Sequence, residues 1–145
     1  MSGTLASIVY SPQPGSYNRK SLHEALLIAD FGIAGDRKGG HPRRNLNIMD
    51  QEMLDVLSSE GYPTDPGILG ENLIFIGADI STQPRGCQFR IGHDVVIEVT
   101  RLREPCYKLT ALDVRMPDAV IDRVGVMARV VQGGVVHLGD PVQMI

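Results

Sequence analysis

The sequence predicts a mainly β fold, a closed or partly open β-barrel with one or two short peripheral helices. Two observations predict it: short apolar segments recur at close spacing, and turns rich in glycine and proline separate them. The chain has 145 residues, of which 43% are hydrophobic and 21% are charged, as in an ordinary globular protein. We therefore expect residues 1–145 to form one domain with its own core.

Three strands are predicted in the first third of the chain. Apolar and polar residues alternate at the start of residues 4–10 and again over residues 46–49. The uninterrupted apolar run at residues 25–29 is typical of a strand that is buried on both faces. A long loop with several glycines and a basic cluster is predicted between the last two strands, over residues 32–44.

One helix is predicted over residues 51–60. Asp50 is placed to accept the free amide hydrogens of its first turn, and Met49 and Leu54 are spaced to pack together around this start. Gly61 is placed to end the helix. A shorter helix is predicted over residues 117–123, because it begins with a proline, which suits the first helical position.

The rest of the chain predicts further short strands, at residues 73–76, 88–91, 94–100, 128–131, 135–138 and 141–144. The dipeptides Gly92-His93, Gly133-Gly134 and Gly139-Asp140 fall between consecutive strands. Dipeptides of this kind are typical of the turns that close β-hairpins. We therefore expect each of them to join two neighbouring antiparallel strands.

The composition favours a cytoplasmic protein. No run approaches the ~18 apolar residues that a membrane span requires, and the N-terminus lacks the pattern of a secretion signal. The net charge of −3 provides no overall attraction for nucleic acid. We expect neither a membrane nor a nucleic-acid partner, and the sequence leaves the oligomeric state open. In a reducing compartment, Cys87 and Cys106 are expected to be free thiols.

Cys106 is the first candidate for chemistry. It follows the predicted strand that contains residues 95–99, and Arg101, Arg103 and Lys108 all lie within five residues of it. The thiolate is the form of cysteine that attacks or binds metals, and nearby cations favour that form. These local residues alone leave open whether Cys106 is reactive or an inert, buried apolar side chain.

Three further segments have polar residues that suit a ligand site. Residues 35–44 combine glycines, which let the backbone approach a ligand, with arginines that donate to anions. Glu71 and Asn72 enter a predicted strand, where they would contact a ligand or cap the preceding loop. Residues 125–140 are rich in glycine, and Arg129 within them needs a partner or a solvent-facing side. Taken alone, each segment also fits a structural role.

Together the four segments resemble the MOSC domain, the module at the C-terminal end of molybdenum cofactor sulfurases. The resemblance runs from about residue 32 to residue 142. The matching residues, in the family's order, are Gly35-Asp36-Arg37, Gly70-Glu71-Asn72-Leu73, Pro105-Cys106 and Ala128-Arg129-Val130-Val131 followed by Gly133-Gly134 and Gly139-Asp140. The resemblance implies a barrel like that of pyruvate kinase and a molybdenum cofactor, molybdopterin. One departure is Lys38, where the family often has a histidine.

The resemblance also implies roles for individual residues. Cys106 matches the family's cysteine and is the predicted catalytic residue, either as a molybdenum ligand or as a sulfur carrier in the form of a persulfide. The predicted cofactor-binding residues are Asp36, Arg37, Lys38, Arg43, Arg44, Glu71, Asn72 and Arg103. No zinc site is expected because the histidines are scattered, and no pyridoxal phosphate is expected because the chain is too short for that domain of the sulfurases.

The predicted function is that of a molybdenum-cofactor-associated protein that uses the Cys106 thiolate. If it is an enzyme, it is a molybdenum-dependent oxidoreductase that reduces N-oxygenated substrates, or a sulfur transferase. Its expected partners are a small-molecule cofactor or substrate and a redox partner or sulfur-donor protein. The alternative is a non-catalytic module that has kept the fold, lost the cofactor and binds another anion or small molecule.

Overall fold

The structure is a computed structural model, and it describes residues 2–13, 19–37, 39–41 and 45–145. The strands in these ranges are β1 (Ser2–Tyr10), β2 (Lys20–Leu22), β3 (Glu24–Ile28), β4 (Gly32–Ile33), β5 (Leu46–Asp50), β6 (Leu73–Ile76), β7 (Gln88–Ile91), β8 (Val95–Leu102), β9 (Val126–Gln132), β10 (Gly134–His137) and β11 (Pro141–Met144). The helices are α1 (Gln51–Ser59) and α2 (Met116–Ala119), with short 3-10 helices at Ile80–Thr82 and Tyr107–Ala111. In the part of the chain that is described, no helix has the length and apolar character needed to cross a membrane.

The strands close into a barrel. The main sheet runs in the order β11-β7-β8-β9-β5-β6-β1-β2, and β1 also pairs with β11, so every strand but β2 belongs to a closed ring. Strands β5 and β6 pair in parallel, which requires a crossover connection, and α1 lies in that connection. The predicted mainly β barrel with short peripheral helices is therefore confirmed.

Apolar side chains fill the barrel. On β8 and β9, the buried residues Ile97, Val99, Ala128 and Val130 alternate with more exposed ones, and all four belong to the main core cluster. Burial of an aliphatic side chain of this kind stabilises the fold by about 1.5–3 kcal/mol. Because the interior is packed core, a ligand site belongs at the strand ends or on the outer surface.

Strand β3 differs from its prediction. Ala25 and Leu27 are buried, but Leu26 and Ile28 are 48% and 40% exposed. The strand belongs to a second sheet, ordered β10-β3-β4, rather than to the barrel. The prediction of a strand buried on both faces was wrong because only one face of this sheet is covered. Strand β4 also lies inside the segment that was predicted to be a loop.

The predicted position of helix α1 is confirmed, but the predicted cap by Asp50 is wrong. It ends at Ser59, and Gly61 adopts a positive φ of 93° just beyond it. The Asp50 side chain makes no hydrogen bond to α1. Instead its carboxylate accepts hydrogen bonds from the backbone N–H groups of Ile80 and Ser81, at 3.0 and 3.1 Å. The sequence predicted the wrong partner because the N–H groups that Asp50 binds lie thirty residues further along the chain.

The shorter helix and the three turn dipeptides were predicted with mixed success. Helix α2 spans Met116–Ala119 and is shorter than expected. The turn at Gly92-His93 does join a hairpin, since β7 and β8 pair with Ile91 opposite Val95. The two glycine-containing turns further on do not join hairpins: β10 pairs with β3, and β11 pairs with β1 and β7.

Gly133 shows why the chain changes sheets at this point. A Cβ atom there would lie 2.6 Å from the carbonyl oxygen of Leu27, so only glycine allows β9 to leave the barrel so close to β3. The dipeptide thus carries the chain from the barrel to the second sheet. A glycine-containing dipeptide therefore predicts where the chain turns, but not which strand the next segment will pair with.

Candidate functional site

Asn72 joins two strands and the loop around Asp36 at one end of the barrel. Its Oδ1 accepts a hydrogen bond from the Asn47 N–H at 3.0 Å, and its Nδ2 donates to the Val9 carbonyl at 3.3 Å and to Asp36 Oδ2 at 3.4 Å. Its backbone donates to the Asn47 carbonyl and accepts from the Val9 N–H, both at 2.7 Å. Since the side chain is buried, these bonds fix β1, β5 and the loop around Asp36 relative to one another.

Asp36 anchors the basic loop. The carboxylate is buried, and its Oδ1 accepts a hydrogen bond from the Ser11 N–H at 2.8 Å. The next residue, Arg37, donates its backbone N–H to the Ser11 carbonyl at 2.8 Å, while its side chain is exposed. The loop is therefore attached to the end of β1 with the Arg37 side chain in solvent. The predicted residues Lys38, Arg43 and Arg44 lie outside the described residues.

Glu71 is the buried carboxylate of the site, with only 2% of its surface exposed. Its Oε1 accepts a hydrogen bond from the Leu69 N–H at 3.1 Å, but its Oε2 has no hydrogen-bond partner among the described residues. Burial raises the pKa of Glu71, although nearby backbone N–H groups and the charge of Arg103 oppose this shift. The fold therefore favours the protonated form of this carboxyl group.

Arg103 bonds the backbone of Leu69, the residue that also bonds Glu71. It lies just after β8 and is 9% exposed. Its Nη2 donates to the Leu69 carbonyl at 2.6 Å. Its Nη1 is buried and has no hydrogen-bond partner within the described ranges. Burial lowers the pKa of Arg103, and the charges of Glu71 and the Cys106 thiolate oppose this effect. Leu69 thus links Glu71 and Arg103 through its own N–H and C=O groups.

Cys106 lies three residues after this arginine. The thiol is exposed and free, and the residue has extended backbone just before the 3-10 helix Tyr107–Ala111. A cavity of about 560 Å³ is lined by Leu102, Arg103, Glu104, Pro105, Tyr107, Pro117, Ile121 and Asp122. The lining includes the residues on both sides of Cys106 in the chain. The prediction of free thiols is confirmed, since Cys87 is also unpaired.

A second cavity lies on the outer side of β8 and β9. Its volume is about 520 Å³, and its lining residues are His41, Arg85, Gly86, Glu98, Val99, Thr100, Arg101 and Arg129. Arg129 bonds Glu98 through Nε at 3.2 Å and Asp30 through Nη1 at 3.1 Å, which supplies the partner that its position in an apolar strand requires. The sequence singled out two of these residues, Arg129 and Arg101, but in separate segments, so it did not indicate that they line one cavity.

The structure divides the predicted site residues into two groups. Asp36 and Asn72 form one hydrogen-bonded group that holds the loop against the barrel. Glu71, Arg103 and Cys106 form the other, linked by the charge interactions that act on Arg103. Within the described ranges, no group of three or more His, Cys, Asp and Glu side chains is placed to hold a metal ion.

The closed β-barrel with short peripheral helices is the architecture that the family resemblance implied. The family model for the MOSC domain matches residues 35–143, and the chain therefore belongs to the MOSC domain family. This family is generally associated with the molybdenum cofactor. No significant match was found among curated proteins.

Solved structures of other proteins share the fold. The YuaD protein from Bacillus subtilis is 17% identical with a TM-score of 0.83, and the alignment covers 99% of this chain and 96% of that one. YiiM from Escherichia coli is 24% identical with a TM-score of 0.74, covering 98% of this chain and 69% of that one. YiiM from Geobacillus stearothermophilus is 20% identical with a TM-score of 0.75, covering 99% and 75%. At these identities the likeness establishes the fold alone.

Proposed function

We propose that this chain binds the molybdenum cofactor, or a related pterin, and uses Cys106 to ligate molybdenum or to carry sulfur. The observation that carries the proposal is the position of the thiol. It is exposed, and the cavity of about 560 Å³ beside it is lined by its neighbours Pro105 and Tyr107. Small-molecule sites have volumes of roughly 300–1,000 Å³, so the cavity is large enough for a ligand of this class.

The chemistry of the residues fits such a group. A thiolate is a soft donor that suits a sulfur-rich molybdenum centre, and the buried guanidinium of Arg103 is close enough to Cys106 for their charges to interact. Because the described residues offer a single thiol here and no metal-binding cluster, the remaining ligands of the metal would come from the cofactor itself. The phosphate of the cofactor would be held by Arg37, Arg43 and Arg44, because arginine donates in a fork that matches phosphate oxygens. The ammonium group of Lys38 would add a further positive charge.

Either use of Cys106 defines a reaction class. When bound, the cofactor supplies a redox-active metal centre, and the chain would act on N-oxygenated substrates with electrons from a separate redox partner. If Cys106 instead carries a persulfide, the chain would accept sulfur from a donor protein and pass it on. In both cases Arg103 provides positive charge next to the sulfur, and Glu71 holds Arg103 through Leu69.

Metal and sulfur content test the proposal. The wild type, Cys106→Ser and the matched control Cys87→Ser are expressed in a host that makes the cofactor, and molybdenum, pterin and persulfide are measured per chain. The wild type and Cys87→Ser are expected to retain molybdenum and pterin, or to form a persulfide after treatment with polysulfide, whose S–S bond the thiolate cleaves to take one sulfur and release a shorter polysulfide. Cys106→Ser is expected to lose the persulfide and most of the metal. A wild type without molybdenum, pterin or persulfide overturns the proposal.

The second candidate is a module that has lost the cofactor and binds another anion. The basic cavity lined by Arg85, Arg101 and Arg129 favours it, because these residues do not require Cys106. The rate of Cys106 alkylation as a function of pH separates the two. Fast alkylation with an acid-shifted profile, relative to a free cysteine, supports thiolate chemistry. Resistance to alkylation supports the second candidate.

A further inference from the structure

The cavity outside β8 and β9 is lined by three guanidinium groups. They belong to Arg85, Arg101 and Arg129, and Glu98 is the one carboxylate of the lining. Two exposed carboxylates outside the lining, Glu104 and Asp30, pair with Arg101 and Arg129 at 3.3 and 3.1 Å. Guanidinium groups gathered in this way attract small anions, which can displace such exposed partners.

The single carboxylate of the cavity is already engaged. Glu98 accepts hydrogen bonds from Arg129 Nε at 3.2 Å and from Gln88 Nε2 at 3.1 Å. These contacts lower the pKa of Glu98, the bond from Gln88 contributing most, so it is ionised and fixed near neutral pH. Glu98 therefore orients the Arg129 guanidinium across the β8–β9 pair, where the two residues stand opposite each other. The Nη2 group of Arg129 has no hydrogen-bond partner among the described residues.

The other arginines are available to a ligand. Arg101 contacts Glu104 at 3.3 Å, but the two side chains are 46% and 82% exposed. An exposed pair of this kind contributes only ~0–1 kcal/mol, so a multiply charged anion can replace Glu104. Arg85 is exposed at the other side of the cavity, next to Gly86, where a Cβ atom would meet no other atom within 4 Å. The space beside Gly86 is therefore open.

We propose that this cavity binds the phosphate group of a small phosphorylated ligand, held by Arg85, Arg101 and Arg129. Guanidinium groups donate in planar forks that match phosphate oxygens, and their charge persists at all physiological pH values. The volume of about 520 Å³ leaves room for a ligand body of nucleotide size beside the phosphate. The site includes none of the residues predicted to bind the cofactor, so it goes beyond the proposed function.

The test is titration calorimetry with pyrophosphate at low ionic strength on the cofactor-free protein. Single variants Arg85→Ala and Arg101→Ala are each expected to weaken pyrophosphate binding about tenfold, which is a typical effect of losing a charge-assisted contact. The matched control is Arg90→Ala, which removes an exposed arginine of β7 outside the cavity and should change the affinity less than about twofold. Cys106→Ser should also bind pyrophosphate like the wild type, which separates this proposal from the one above.

Two further arms identify the source of the phosphate. Adenosine monophosphate and inorganic phosphate are titrated in the same way, and pyrophosphate is titrated into protein that has been loaded with the cofactor. Loss of pyrophosphate binding in the loaded protein assigns the site to the phosphate of the cofactor, and retained binding assigns it to a separate ligand. No binding by the cofactor-free wild type, or an equal loss in Arg90→Ala, overturns the proposal.

Discussion

Glu71 and Asn72 are adjacent in the chain, but their buried side chains differ in how completely they are hydrogen-bonded. The amide of Asn72 has partners for both its oxygen and its nitrogen, on β1, β5 and the basic loop. The side chain of Glu71 is equally buried, but in the part of the chain that the structure describes, one of its oxygens and one nitrogen of Arg103 have no hydrogen-bond partner. Two neighbouring residues of one short motif therefore have different physical roles.

The difference indicates where the fold is optimised for stability and where it is not. A buried polar group with all its partners strengthens the structure, whereas an unsatisfied one costs free energy and needs a reason to persist. The unsatisfied atoms belong to the group of residues that leads to the exposed Cys106 thiol. The satisfied Asn72 belongs to the connection between strands. We infer that Asn72 mainly holds the barrel end together, while Glu71 and Arg103 adjust the surroundings of the thiol.

The largest expected effect is that of Asn72→Ala. It removes the three side-chain hydrogen bonds of Asn72 and leaves the buried Asn47 N–H without its acceptor. We expect the free energy of unfolding to fall by about 3 kcal/mol, measured by urea denaturation. Gln143→Ala, which changes an exposed residue of β11, is the control and should change it by less than about 0.5 kcal/mol. An equally small change for Asn72→Ala would remove the distinction between the two neighbours.

Glu71→Gln should change the pH dependence of stability. Burial raises the pKa of Glu71 in the folded state above its ordinary value of 4.5, so the folded state holds the proton more tightly than the unfolded chain. The stability associated with this group is present below the unfolded pKa and is lost as the pH rises through the folded pKa. We therefore expect the stability of the wild type to fall more steeply than that of Glu71→Gln as the pH rises above 4.5.

Urea denaturation across this pH range measures the effect. Asp65→Asn, which neutralises an exposed carboxylate elsewhere, is the control and should keep the slope of the wild type. Parallel curves for the wild type and Glu71→Gln would show that the pKa of Glu71 is the same in the folded and unfolded states, and would contradict the expected effect of burial.

The smallest expected effect on stability is that of Cys106→Ser. The thiol is exposed, so the substitution should change the free energy of unfolding by less than about 0.5 kcal/mol. Cys87→Ser is the contrast, because Cys87 packs against the barrel core, and a hydroxyl there should cost about 1 kcal/mol. Thermal and urea unfolding of both variants check this. A larger loss in Cys106→Ser than in Cys87→Ser would mean that Cys106 is a packing residue.

Local patterns predicted much of the fold. Alternation identified β1 and β5, Gly61 marked the end of α1, and the turn at Gly92-His93 identified the β7–β8 hairpin. The failures share a cause. Residues far away in the chain determine which face of β3 is buried and which groups bond the Asp50 carboxylate. Local periodicity cannot predict contacts of this kind.

The candidate site follows the same division. The sequence indicated Cys106 because a thiol among cations has a recognisable chemistry, and it indicated Glu71 and Asn72 through a short motif. It gave no indication that Leu69 would join Glu71 to Arg103, or that Arg85 would share a cavity with Arg129.

By itself, the sequence determined most of the strands, the helix α1, the membership of the MOSC family and the residue types that are candidates for chemistry. Only the tertiary structure decided which of them meet. Closure of the barrel brings β8, β9 and the connection before β6 together, and this leaves Asn72 fully bonded while Glu71 and Arg103 are buried with one free atom each. The physical reason is that residue types and periodicities act over a few neighbours, whereas burial and hydrogen-bond partners are set by chain segments that meet only in the folded protein.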